Sequence, residues 1–310
     1  MSNPNTGEFI AKQQYIENFV GNVVAMVLHR LDQQVGQEER YVRSNERVEA
    51  AVLEVLRPLE TRYSIDAAQL ASQFAYEKFD LILRLCEQDV LRYPQQDPAL
   101  EHIEEVFHAS NGFWATVAHR IAHALSELKV PVIPRAISRI SHSRTGIDIH
   151  PLAKIAGGLF IDHGTGIAIG CTAVIEENVN LYNGVVLGTS NKPRKRTTDE
   201  GSVAKRHPTI RRNVSLYTNA FVGGDVVIGE GAAIGAYAFV CRDVDDGEVV
   251  LGKKETEAER QPEIVFDLES LDTAFTNLFD DEKEKNTDTQ NLALAKEDRA
   301  KQEEVHDYEI

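Results

Sequence analysis

The sequence is poor in the residues that build disulfide frameworks and metal clusters, with three cysteines, Cys86, Cys171 and Cys241, in 310 residues. They are far apart and odd in number, so neither a disulfide scaffold nor a CxxC zinc motif is available, and a reducing compartment fits. Positive charge is also short. The 33 lysines and arginines stand against 49 acids, a net charge of −16. That leaves no basic surplus to neutralise phosphates and argues against a nucleic-acid binder. No run approaches the roughly 18 apolar residues of a membrane span. The start, MSNPNTGEFI, has neither the basic residues nor the apolar run of a secretory leader. A cytoplasmic chain is expected.

What is present falls into three segments with different periods. In residues 1–146 apolar side chains recur at three and four, as in Phe19, Val23, Val27, Leu31 and in Phe79, Ile82, Leu83, Cys86, the spacing of amphipathic helices. Asp97-Pro98 reads as a helix start, with Asp97 as the cap and Pro98 in the first turn. A helix from Phe113 to Lys129 should stop near Pro131 and Pro134.

At Ile147 the period becomes six. Ile149, Ile155, Ile161, Ile167, Ala173, Val179 and Val185 form one run, and Ile210, Leu216, Val222, Ile228, Ile234 and Val240 another. In the second run a small or β-branched residue follows four places later: Val214, Ala220, Val226, Ala232, Ala238 and Val244. A six-residue period is the mark of a parallel β-helix, in which each hexad makes one short strand and one corner and three hexads close a triangular coil. The expected domain is 147–252. The two runs are out of step, so a loop of about 189–208 leaves the coil; such loops are functional or disordered. It concentrates Lys192, Arg194, Lys195, Arg196, Lys205 and Arg206. Residues 253–310 are charged, with one amphipathic series from Ile264 to Phe279, and end in Tyr308-Glu309-Ile310; helix or disorder is expected there.

Histidines beside acids mark where chemistry could sit: Asp148-Ile149-His150, then Asp162-His163-Gly164-Thr165-Gly166, with a third histidine in Lys205-Arg206-His207-Pro208. At about 18 residues per coil, Asp148 and His163 lie on successive coils, slightly short of direct stacking. If they touch, Asp148 can fix the His163 tautomer and leave the other nitrogen as a general base; the alternative is a surface histidine on a corner. His119 and His123 are four apart on a helix, but HRIAH lacks the glutamate of HExxH, which favours packing over zinc.

The runs TGIDIHP (145–151), IDHGTG (161–166) and KRHP (205–208), with upstream QDPA (96–99) and RIAH (120–123), closely resemble the serine O-acetyltransferases. The resemblance implies a helical N-terminal domain followed by a left-handed parallel β-helix of hexapeptide repeats. It implies acetyl transfer from acetyl-CoA to L-serine, giving O-acetyl-L-serine for cysteine synthesis. His163 matches the general base and Asp148 its carboxylate partner. Asp97 and Asp162 match acids that hold the substrate ammonium, and Arg206 with His207 match the groups facing its carboxylate. Gly188, Thr218 and Ala236 align with positions that hold acetyl-CoA through backbone groups, and basic loop residues such as Lys205 could meet its phosphates. No permanently bound cofactor and no metal is implied.

The resemblance also implies homotrimers with sites between subunits, pairing into hexamers, feedback inhibition by L-cysteine, and docking of Ile310 into O-acetylserine sulfhydrylase. Two stretches depart from the family. Leu187-Gly-Thr-Ser-Asn191 replaces the usual LGGTG, and Gly247-Glu-Val-Val-Leu-Gly252 stands where GVPA is common. Both departures bear on contacts to the cofactor, not on the chemistry. The rival readings are an acetyltransferase for another hydroxyl, such as homoserine or a sugar, a zinc β-helix lyase, and a non-catalytic scaffold that binds partners through its tail.

Overall fold

The computed structural model describes residues 16–22, 24–26, 38–190 and 203–252. The apolar series from Ile264, the terminal Ile310 and the loop residues Lys192, Arg194, Lys195 and Arg196 lie outside the described residues. One compact unit ends at Lys253, and the change from helix to coil near 146 falls inside it.

Helices Glu38–Leu56, Ala67–Gln73, Phe79–Val90, Asn111–Glu127 and Ile133–Thr145 pack around Phe74, Phe79, Phe113, Ile121 and Leu125, all buried. The expected helix at Phe113 begins two residues earlier, where the Ser110 hydroxyl accepts the Phe113 N–H at 3.0 Å, a standard cap for an otherwise unpaired donor. No helix begins at Asp97. Its carboxylate accepts the N–H of Ala99 at 2.9 Å and its carbonyl that of Leu100 at 3.3 Å. This local turn competes with helix formation, and the next helix is Glu104–Ala109.

From Asp148 the chain climbs a three-sided coil of parallel strands. The first face stacks Asp148–Ile149, Ala168–Ile169, Val186–Gly188, Phe221–Gly223 and Phe239–Val240. The second begins with Lys154–Ile155 and the third with Phe160–Ile161. Ile149, Ile169, Leu187, Val222 and Val240 form one inward ladder, and the buried aliphatic residues of all three faces fill the interior.

The expected unbroken count from Ile149 to Val185 is corrected at one corner. Ile149, Ile155 and Ile161 lie on the strand ladders with Ile169, Ile175 and Leu181, whereas Ile167, Ala173, Val179 and Val185 lie at the corners just before strands. Asp148 pairs with Ala168, 20 positions on, whereas Ala168 pairs with Val186, 18 on. The corner between Ile161 and Ala168 therefore holds two extra residues. Strand and corner ladders are both aliphatic, both repeat every six, and are offset by two, so an insertion of two converts one into the other without breaking the count. The extruded loop is a second departure: Val186 pairs with Phe221, 35 positions on.

The first rung has no strand beneath it, which leaves outward-pointing backbone groups on each face. Side chains of the helical part satisfy them. Ser138 donates to the Ile149 carbonyl at 2.8 Å, Arg120 to that of Ile155 at 3.2 Å, and Tyr93 to that of Ile161 at 3.4 Å. Arg120 also reaches the Ala156 carbonyl and grips Asp89 through two 2.7 Å bonds, while Asp89 accepts the Leu159 N–H at 2.9 Å. Burial alone would lower the Arg120 pKa; the Asp89 carboxylate more than reverses this and holds it above its ordinary value.

Removing one member of a buried, hydrogen-bonded pair strands the other charge, at a cost of about 3–5 kcal/mol. Arg120→Ala should therefore lower unfolding stability by about that amount in urea titration, far more than Arg84→Ala, whose ion pair with Asp80 is exposed and worth about 0–1 kcal/mol. Equal effects from the two substitutions would show that the buried pair does not anchor the coil.

Candidate active site

The two-residue insertion builds the corner Asp162-His163-Gly164-Thr165-Gly166. His163 has φ +54 and the Gly164 N–H donates back to the Asp162 carbonyl at 2.5 Å, a γ-turn of the rare positive-φ kind. A non-glycine residue held there costs about 1–3 kcal/mol, and such strain clusters at functional sites. Gly164 follows at φ +83, and a Cβ on it would collide with Ile147 Cδ1, so only glycine closes the turn. The His163 side chain stands 79% exposed, its Nε2 3.9 Å from Asp162 Oδ2.

A cleft of about 410 Å³ brings this corner against the helical part. Asp97, Glu105, Ser110, Asp162, His163 and Thr165 line it, with Tyr93 at its base. Tyr93 is buried against Phe113 and Phe160 and accepts from the Ser110 hydroxyl at 3.2 Å. Asp97, placed by its turn, thus shares one cleft with Asp162 and His163. Asp148 is not bonded to His163 among the described residues. It adjoins the same corner through the backbone, its N–H donating to the Ile167 carbonyl at 2.9 Å.

Thr218 and Ala236 each lie two residues past a third-face strand, as His163 and Asn183 do, so the register aligns all four along one edge of the coil. Thr218 Oγ1 donates to Asn183 Oδ1 at 3.1 Å. Gly188 ends a first-face strand beside Gly223. Lys205 is tied down within the chain, its ammonium donating to the carbonyls of Thr172 at 2.7 Å and Pro208 at 3.2 Å.

Arg206 and His207 lie at a different corner, between the first and second faces, where the extruded chain rejoins the coil. Arg206 Nη2 donates to Cys171 Sγ at 2.9 Å, and His207 Nδ1 lies 2.8 Å from Thr172 Oγ1. Burial, then the charges of Arg206 and Lys205, lower the His207 pKa from 6.5 to about 4. His150, two rungs below, is also lowered to about 4, by burial and then Arg135. The first face of the coil therefore separates the acid-lined cleft from the Arg206–His207 corner. Tyr93, Ser110, Cys171 and Thr172 were not foreseen as site residues; only the register, which places 171–172 beneath 206–207, could have marked the last two. His119 is buried and His123 Nδ1 bonds the Pro151 carbonyl at 2.7 Å, a packing arrangement. Among the described residues no group of three or more His, Cys, Asp or Glu could hold a metal, and no helix is long and apolar enough to cross a membrane.

No family model matches the chain. It is 36% identical over 235 residues to a plasmid serine acetyltransferase of Synechococcus elongatus, across 75% of this chain and 70% of that protein. The chain belongs to the serine acetyltransferase family. Family members are acyltransferases, and the coil described above is their left-handed β-helix. Solved structures agree: Entamoeba histolytica serine acetyltransferase 1 in complex with L-cysteine superposes with TM-score 0.60 at 26% identity, covering 77% of this chain and 99% of that one. The Neisseria gonorrhoeae serine acetyltransferase in complex with serine gives 0.54 at 25% identity, covering 78% and 95%.

A histidine whose pKa is 4 when folded and 6.5 when unfolded binds fewer protons folded than unfolded between those values. Its contribution is complete above about pH 6.5 and is lost as pH falls towards 4. Stability should decline across that window through His207 and His150, and His207→Gln should flatten the decline in denaturant titrations at successive pH. An unchanged pH–stability curve would show that His207 titrates normally.

Proposed function

We propose that the chain transfers the acetyl group of acetyl-CoA to the hydroxyl of L-serine, giving O-acetyl-L-serine and CoA as the first step of cysteine biosynthesis. The observation that carries this reading is the cleft uniting Asp97, Asp162 and His163. His163 takes the hydroxyl proton as the serine oxygen attacks the thioester carbonyl. A free hydroxyl is a weak nucleophile, so proton removal during attack is the catalysis needed. The tetrahedral intermediate then collapses, the C–S bond breaks, and CoA leaves as a thiolate that needs no strong acid. Asp148, on the rung beneath, supplies negative charge that favours the imidazolium formed.

Asp97 and Asp162 hold the substrate ammonium, while Arg206 and His207 hold its carboxylate. These halves occupy different corners of one coil, which supports a site closed by a second copy: the acid-lined cleft of one subunit faces the Arg206–His207 corner of its neighbour. Threefold packing of flat-sided coils achieves this, and trimers pair into hexamers through the helical part. Acetyl-CoA runs along the edge above His163. From His163 to Ala236 is three rungs, about 14 Å at the usual spacing between strands, and Thr218 lies on that path, while Gly188 ends a strand at the opposite edge of the first face, towards the Arg206–His207 corner. Lys205 contributes through its hold on the rung below. L-cysteine, which presents the same ammonium and carboxylate, occupies the serine site and inhibits. Ile310 docks into the amino-acid site of O-acetylserine sulfhydrylase. The enzyme works in the cytoplasm.

His163→Ala should lower turnover by roughly 10²–10⁴-fold in a CoA-release assay, with unchanged circular dichroism; near-normal turnover would refute the base. Asp97→Asn should raise KM for L-serine several-fold while leaving KM for acetyl-CoA nearly constant. Equal effects on both substrates would remove Asp97 from the ammonium site.

A further inference from the structure

The corner that carries Arg206 and His207 is built on a residue with no assigned role. Thr172 lies on the rung beneath and makes five bonds to the segment above. Its Oγ1 accepts the backbone N–H of Arg206 at 3.0 Å and that of His207 at 3.1 Å. The same oxygen lies 2.8 Å from His207 Nδ1, its N–H donates to Nδ1 at 3.2 Å, and its carbonyl accepts from Lys205.

Counting donors settles the tautomer. A hydroxyl oxygen has two lone pairs and one proton. Both lone pairs are engaged by backbone N–H groups, so the contact to Nδ1 is the one the hydroxyl proton fills. Nδ1 receives that proton and the Thr172 N–H, and must itself be bare. The neutral imidazole therefore carries its hydrogen on Nε2. Protonating Nδ1 would set a donor against two donors. The ring cannot rotate away, because it is buried and lies against Gly170, where a Cβ would collide with Cδ2 and Nε2. Cys171 performs the companion task, its sulfur holding Arg206 Nη2 at 2.9 Å while Nη1 has no partner among the described residues.

We propose that Thr172 is a positioning residue for recognition of the acceptor's carboxylate: it locks His207 as the Nε2–H tautomer and fixes the Arg206–His207 backbone, so that the corner offers only donors to an anion. This rests on the reading that Arg206 and His207 face the substrate carboxylate. A corner of this kind suits α-amino acids with a free carboxylate, whose charge strengthens these bonds, over acceptors that present a neutral group there, such as a sugar hydroxyl or an amidated amino acid.

The test compares Thr172→Val, which keeps the shape and removes the hydroxyl, with Thr172→Ser, which restores it. Partners that orient metal-bound histidines are typically worth about 10–100-fold, and a factor of the same order is expected for a histidine that holds an anion. Thr172→Val should raise KM for L-serine by about that factor, with KM for acetyl-CoA and kcat within about twofold, and Thr172→Ser should recover most of the loss. Nitrogen-15 spectra of histidine-labelled enzyme should show His207 as a single Nε2–H tautomer in the wild type and in Thr172→Ser, and as a mixture in Thr172→Val. If Thr172→Val leaves KM for serine unchanged while Arg206→Ala and His207→Ala raise it, the inference about Thr172 fails and the carboxylate reading stands. If none of the three raises it, the carboxylate reading fails as well. A loss in Thr172→Val shared equally by both substrates, with an unchanged tautomer, would leave Thr172 as packing alone and overturn the proposal.

Discussion

A parallel coil leaves unpaired backbone at its two ends, and here the helical part stands at the first of them. Each rung hydrogen-bonds the next, but the first rung offers half of its backbone groups to nothing, and leaving such groups buried and unpaired costs roughly 1–3 kcal/mol apiece. The helical part exists, in this physical sense, to close that edge. Ser138, Arg120 and Tyr93 each take one carbonyl on one of the three faces, and Asp89 takes the Leu159 N–H. The apolar contacts interlock across the same boundary: Ala115 of a helix packs into the coil interior, and Phe160 of a strand packs into the helical core. One compact unit follows from this, although its two halves obey different periods.

The closed edge also places the chemistry. Tyr93 bonds the Ile161 carbonyl, immediately before the strained corner, so the group that seals the third face also forms the base of the cleft. Gly112, at the start of its helix, lies so close to Ile161 that a Cβ there would overlap the strand backbone. The Asp97 turn and the His163 corner are thus held by packing that serves stability first. At the far edge of the first face, the long loop re-enters the coil onto Cys171 and Thr172, and Arg206 and His207 are anchored by the rung below.

Much of this was legible in the sequence, and the parts that were not share a cause. The six-residue period named the coil because interior packing demands an aliphatic residue at every strand. The same period concealed the corner at 162–166, since a two-residue insertion shifts one aliphatic ladder onto another and leaves the count intact. Asp97 reads as a helix cap yet forms a turn, because Asp-Pro suits both a helix start and a tight turn, and only the tertiary setting decides between them. The clustering of Asp97, Asp162 and His163 was not deducible from spacing, as it depends on how the helices seat on the first rung. The contacts of Thr172 carried no signal at all, for they come from register with a segment 35 positions later.

The order of these parts along the chain carries a kinetic meaning. Asp89, Tyr93, Arg120 and Ser138 all precede Ile149, so a polypeptide emerging from the ribosome N-terminus first exposes its capping groups before the strands that need them. Each finished rung then presents a complete template to the one that follows, as in other quasi-one-dimensional repeats. Growth in the direction of synthesis leaves only the short strands of the newest rung unpaired, and unpaired strand edges are what make folding intermediates prone to aggregate. The closed lower edge thereby acts as a seed, and the coil as an elongation product of it.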